Sequence, residues 1–142
     1  MSTKIVITPA IKKSDILDQL VIRHSNCHAR EVVTLGAEHI DLFAWRGTRT
    51  VLYVVITTEE EFRAEFSKRN RQAPIDSVGA EKYFVCPYRM IENYEIPKGW
   101  GLIYAEQHGS DGLNLVTVVN SSTMPCDLRK EKDILLSILS SR

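Results

Sequence analysis

The stretch "VLYVVITTEEEF", residues 51–62, decides the fold. Its first seven residues are β-branched or large, and apolar on both alternating faces, the pattern of a central strand covered on each side. The acidic run Glu59, Glu60 and Glu61 then opens a helix against the positive end of its dipole. Thr58 is the expected N-cap, and Thr58 with Glu61 fits a capping box. Phe62 and Phe66, four apart, turn inward together. The helix should stop before Pro74, with Lys68, Arg69 and Arg71 near its negative end.

Strand signals lie on both sides. Upstream, "EHIDLFAW" sets Ile40, Leu42 and Ala44 in alternation with His39, Asp41, Phe43 and Trp45. A hairpin turn, "RGTRT" around Gly47, joins it to the central strand. Before it, "AREVVTL" reads as an extended segment closed by Gly36. Thr8 and Pro9 read as a helix start, with a helix to about Arg23 that turns Ile11, Leu17, Leu20 and Val21 to one side. Downstream, "KYFVCP" and "GLIYAEQ" are strands, and "LNLVTVV" is another after the "HGSDG" turn. A last helix starts near Asp127 and carries Leu128, Leu135, Leu136, Ile138 and Leu139. The expected order is αβββαβββα: an α/β (α+β) fold, a mixed sheet flanked by helices. No repeat or linker interrupts it, so residues 1–142 are expected to form a single domain.

Composition bounds the function. Hydrophobic residues make up 44% and charged residues 25% of 142, which suits a globular chain. Lys plus Arg equals Asp plus Glu at 18 each, so no global field draws the chain to nucleic acid or membrane, and any such binding needs a local patch. No apolar run reaches the roughly 18 to 20 residues that span a bilayer. The start, "MSTKIVITPAIKKSD", lacks the order of a signal peptide, so a cytoplasmic location is expected. Cys27, Cys86 and Cys126 are too widely spaced for a zinc knuckle and odd in number, and read as buried or incidental thiols. Nucleophile elbows, Walker loops and dinucleotide fingerprints are absent from the sequence.

From about Ala29 to Ala105 the chain resembles the MmcB-type, DNA-repair-related branch of the PD-(D/E)XK nuclease superfamily. The resemblance rests on "REVVTL", "HIDLFAW", a hairpin, and a strand entering "EEFRAEF". It continues through "EKYFVCP" and "YEIPKGWGLIYAE". It implies a restriction-endonuclease-like fold and a Mg²⁺ site for phosphodiester cleavage, built from carboxylates on adjacent strands and a lysine. Carried over residue by residue, Glu31 matches the upstream glutamate and Asp41 the second-strand aspartate. The implied Glu-x-Lys falls on Val54 and Ile56, which offer neither an oxygen ligand nor a charge. The catalytic site is therefore expected to be vestigial. Asp41 then needs another partner, for which Arg46, Arg49 and Thr57 are within reach in sequence.

Several residues carry competing readings. Glu59, Glu60, Glu61 and Glu65, with Lys68 and Arg69, could rebuild a metal site from the helix, but capping and dipole effects explain three glutamates at a helix start. His39 and Asp41, two apart, could share a metal with Glu31, against the plainer reading of a structural histidine. Gln72 reads as a surface residue, because Asp76 stands where related proteins carry a tyrosine. His24, His28 and His108 lie in turn-like sequence with no visible partner. The expected nucleic-acid footprint is Arg46, Arg49, Arg63, Lys68, Arg69 and Arg71, with Tyr88, Tyr94 and Trp100 as exposed aromatics for stacking or for a lid.

Three functions follow. The first is a catalytically inactive nuclease-like module that binds DNA or a protein partner as an adaptor. The second is a small structural or regulatory interaction protein of phage or mobile-element type that uses the fold as a scaffold. The third is a metal-dependent DNA nuclease with a rearranged site. No cofactor is expected in the first two, and Mg²⁺ or Mn²⁺ only in the third; no membrane association is expected.

Overall fold

The computed structural model describes residues 10–33, 39–71, 74–107, 109 and 112–140. Helix α1 (Lys13–Arg23) leads into strands β1 (His28–Val33), β2 (His39–Arg46) and β3 (Arg49–Val55). Helix α2 (Glu59–Arg71) crosses to β4 (Glu81–Pro87), followed by β5 (Gly101–Gln107), β6 (Leu113–Val119) and helix α3 (Leu128–Ser140). The six strands form one mixed sheet in the order β1-β2-β3-β4-β5-β6. The inner pairs β3/β4 and β4/β5 are parallel, and the outer pairs are antiparallel. This is the αβββαβββα order and the mixed α/β class expected from the sequence.

Two apolar layers sandwich the sheet. On one face Ile16, Leu17 and Leu20 of α1 pack on Leu42, Ala44, Val51, Tyr53, Val55, Val85, Ile103 and Ala105. On the other, Phe62 of α2 and Ile134 and Ile138 of α3 cover Phe43, Leu52, Val54, Phe84, Cys86 and Leu102. β3 is buried from Val51 to Val55, as its two-sided apolar pattern requires. All three cysteines are free, and burial pushes the Cys86 thiol up to about 12.

Helix α1 begins at Lys13, with Lys12 as an N-cap that makes no side-chain cap bond, so residues 10–12 are not helical. Thr8 and Pro9, the expected start, lie outside the described residues. α2 keeps the expected cap, with the Glu61 amide donating to Thr58 Oγ1 at 3.2 Å. The Glu61 carboxylate accepts from the Thr57 hydroxyl at 3.2 Å. α3 is capped by Asp127, whose Oδ1 accepts from the Lys130 amide at 3.0 Å.

The expected alternation of β2 fails at Asp41. Ile40 packs on the α2/α3 face, whereas Leu42 and Ala44 pack beneath α1. Phe43, on the intervening phase, is fully buried. The neighbouring strand breaks at the same level: Glu31 has φ +54°, and Ala29 and Val32 on either side of it pack on one face. A residue in the left-handed region turns the strand, so period-two reading is lost there.

A buried polar knot ties the β3–β4 connection to α3. Glu131 Oε2 accepts from the Gly79 amide at 2.8 Å and from Thr50 Oγ1 at 3.3 Å. Lys82, 1% exposed, donates its ammonium to the carbonyls of Val78 and Gly79. Gly79 sits at φ +90°, and a Cβ there would meet the Leu52 amide at 2.7 Å.

Candidate functional site

The residues implied by the nuclease resemblance do not assemble. Val54 and Ile56 are buried among the side chains beneath α2 and α3. Asp41 turns to α1 instead: Oδ1 lies 2.7 Å from Lys13 Nζ, and Oδ2 accepts from the Val55 amide at 2.8 Å. Its partners are thus a helix lysine and a backbone amide, rather than Arg46, Arg49 or Thr57. Glu31 is exposed, 3.9 Å from Arg30 Nε. His39 is exposed as well. Glu65 is engaged by Arg69 at 3.3 Å and Lys68 at 3.8 Å. Among the described residues, no group of three His, Cys, Asp or Glu side chains gathers as a metal site.

The expected basic footprint divides between two faces. Arg69 is 4% exposed and serves the interior, donating to Glu65, to Ser77 Oγ at 3.2 Å and to the His39 carbonyl at 3.4 Å. It is unavailable to a nucleic acid. Arg63 and Lys68 are exposed on α2, and the Arg71 side chain lies outside the described residues, as do Gln72 and His108. Trp100, expected to be exposed, is 6% exposed and stacks on Phe84 at 4.6 Å between ring centroids. Met90, Ile91 and Ile96 also pack inward, so the segment between β4 and β5 is a packed cover that leaves Tyr88 and Tyr94 outside.

Arg46 and Arg49 meet partners that the sequence did not suggest. The two-residue turn between β2 and β3 starts with Gly47 at φ +60°, the position a type II′ hairpin reserves for glycine. Arg46 and Arg49 are therefore directly opposed across the hairpin. Both line a cavity of about 220 Å³ on the α1 face of the sheet, with Arg23, His24, Tyr53, Glu81, Tyr83 and Thr117. Val51 and Ile103 complete its walls. α1 ends at Arg23, and the cavity lies against the sheet at that end of the helix, with Arg23 and His24 in its lining.

His24 and Tyr53 form the cavity's fixed part. His24 Nε2 lies 2.7 Å from the Tyr53 hydroxyl. Burial first, and then the charges of Arg46 and Arg23, lower the His24 pKa below 6.5, so the ring is neutral at pH 7. Burial pushes the Tyr53 phenol up to about 12. Tyr53 stacks on Tyr83 at 5.8 Å and 26°. Tyr83 in turn lies over Gly101, where a Cβ would meet the ring at 2.3 Å. Arg23 donates to the Leu115 carbonyl at 2.8 Å, and as a cation in the last turn it suits the negative end of α1. Among the described residues, Arg46 and Arg49 make no ion pair within 4.0 Å. Two like charges placed opposite each other across strands repel, and an anion between them removes that cost.

The fold places this chain among mixed α/β proteins with a single six-stranded sheet. No family model matches the sequence, and no curated protein matches it. A solved structure, the SPO1766 protein of unknown function from Silicibacter pomeroyi, is similar with a TM-score of 0.64 and 11% identity. The match covers 96% of this chain and 88% of that one. At such identity the likeness concerns the fold alone. No helix among the described residues is long and apolar enough to cross a membrane.

Proposed function

We propose that the chain is a catalytically inactive, nuclease-like module that binds nucleic acid as an adaptor. The observation that carries this reading is the convergence of Arg23, Arg46 and Arg49 on one cavity, against a single carboxylate, Glu81. The nuclease ancestry rests on the sequence resemblance. Inactivity is supported by Val54 and Ile56 packed in the core and by Asp41 engaged with Lys13 and the Val55 amide.

Fluorescence anisotropy on single- and double-stranded oligonucleotides across a salt series tests the reading, beside a cleavage assay with Mg²⁺ and Mn²⁺. Binding that neutralises two or three phosphates gives a log–log salt slope of about −2 to −3. Arg46→Ala with Arg49→Ala should weaken it by about tenfold or more, as loss of charge-assisted hydrogen bonds does. Metal-dependent cleavage, or affinity indifferent to both arginines, defeats the proposal.

A second reading, a protein-binding scaffold, is favoured by one feature. α3 exposes Leu128, Leu135, Leu136 and Leu139 on the side away from the sheet. Loss of a stoichiometric protein complex on Leu136→Lys with Leu139→Lys, in a chain that never binds nucleic acid, would establish this reading in place of the first.

A further inference from the structure

We infer that the arginine-lined cavity is a receptor for a terminal phosphate monoester, the end of a nucleic-acid strand, rather than for the diester backbone between nucleotides. This rests on the nucleic-acid reading above and deepens it.

Shape supplies the first reason. A cavity of about 220 Å³ holds a tetrahedral anion with adjoining sugar atoms or waters, since one water takes about 30 Å³ in the liquid. A diester carries a sugar on both sides and lies along a surface; a monoester is free on one side and enters a concavity end-on. Three of the cavity's lining residues are buried, His24, Tyr53 and Val51 at 7%, 5% and 6% exposed, and His24 is hydrogen-bonded to the Tyr53 hydroxyl.

Charge supplies the second. Three guanidinium groups and one carboxylate line the cavity, which leaves it two positive charges in excess with His24 neutral. A phosphate monoester carries about −1.5 to −2 at neutral pH, whereas a diester carries one negative charge. The monoester is the ion that matches.

Geometry of the donors supplies the third. Arg46 and Arg49 project from directly opposed positions of a tight hairpin, and Arg23 comes from the end of α1. Cations from α1, β2 and β3 thus line one compact cavity, the arrangement that suits a compact tetrahedral ion. A stripe of cations along one helix would instead track a backbone. Arginine's planar fork suits phosphate oxygens in pairs. Thr117 of β6, which also lines the cavity, brings a hydroxyl-bearing side chain to the neighbouring wall.

The test uses the full chain and one internally labelled single strand prepared in three forms: 5′-phosphorylated, 3′-phosphorylated and with hydroxyls at both ends. At least one phosphorylated form should bind about tenfold tighter than the hydroxyl form, the gain of added charge-assisted contacts. Arg49→Ala should remove the difference. Glu81→Gln, which keeps the cavity's shape and raises its charge, should widen it, so a second variant reads the site if the first folds poorly. A nucleoside monophosphate should compete, but at much higher concentration than the strand. Equal affinity for all three forms, with both arginines still required, overturns the terminal-phosphate site and leaves nucleic-acid binding standing. No binding of any form overturns both. A nucleoside monophosphate that binds as tightly as the phosphorylated strand overturns the strand end as the source.

Discussion

Asp41 is held at two oxygens, and each contact has a different worth. The Lys13 pair is partly exposed and contributes little, about 0–1 kcal/mol. The Val55 amide is a different matter, because β2 no longer pairs with β3 at that level and the carboxylate substitutes for the missing strand partner. Asp41→Ala should therefore cost about 1–3 kcal/mol in urea unfolding, the penalty of an orphaned backbone donor. A variant as stable as the parent would show that water takes over the bond. His24 makes a second prediction, in pH. Its folded pKa lies below the unfolded value of 6.5, so below that pH the unfolded chain binds more protons. Its contribution to stability is complete above about pH 6.5 and falls as the medium is acidified through and below it. The thermal midpoint of the parent should drop more steeply between pH 7 and 5 than that of His24→Gln. Equal slopes would remove His24 from the balance. Neither contact was readable in the sequence: Asp41 and Val55 are 14 positions apart and His24 and Tyr53 are 29 apart, so no local pattern joins them.

At the scale of elements, the strands were the most legible part. "GLIYAEQ" and "LNLVTVV" are the observed β5 and β6 residue for residue, because short apolar runs between turn residues carry their own boundaries. Thr58 and Asp127 were legible as caps for the same reason, since a cap acts within three residues of its own position. Two features lay beyond such reasoning. Arg69 looked like a surface cation at a helix end until the His39 carbonyl and Ser77 claimed it from other parts of the chain. Trp100 looked like a loop aromatic, yet it closes the core over Phe84. The candidate site divides in the same way: Arg46 and Arg49 were visible as a basic hairpin, whereas Arg23, Tyr53, Glu81 and Tyr83 join them only through the sheet. Gly101 links element to site. It faces Tyr83 in register, and a side chain there would displace the ring that walls the cavity. Gly101→Ala should lower stability by about 1–3 kcal/mol, as overpacking does, and weaken the proposed nucleic-acid binding with it. Chemical denaturation and anisotropy on the same preparation check both; a stable variant with unchanged binding would mean that the ring relocates freely.

For the whole molecule, the sheet sets a gradient of protection. β3, β4 and β5 are largely buried and paired on both edges, whereas β6 is an edge strand whose Val116 and Val118 remain exposed. Native-state hydrogen exchange should find the slowest amides in the three inner strands and faster exchange in β6 and α3. Uniform protection across the sheet would mean that it opens only as a unit. The same sheet has a further property: its strand order is also its chain order. Every strand lies beside the one made just before it, so a chain emerging from the ribosome never waits for a distant segment to complete a pair. The β1–β3 meander can close before α2 is synthesised, and each later strand docks on an edge already present. That edge is also the hazard of the arrangement. Until β4 arrives, β3 presents its apolar flank to whatever is near, and a pause in translation at that point is when this chain is most exposed to aggregation.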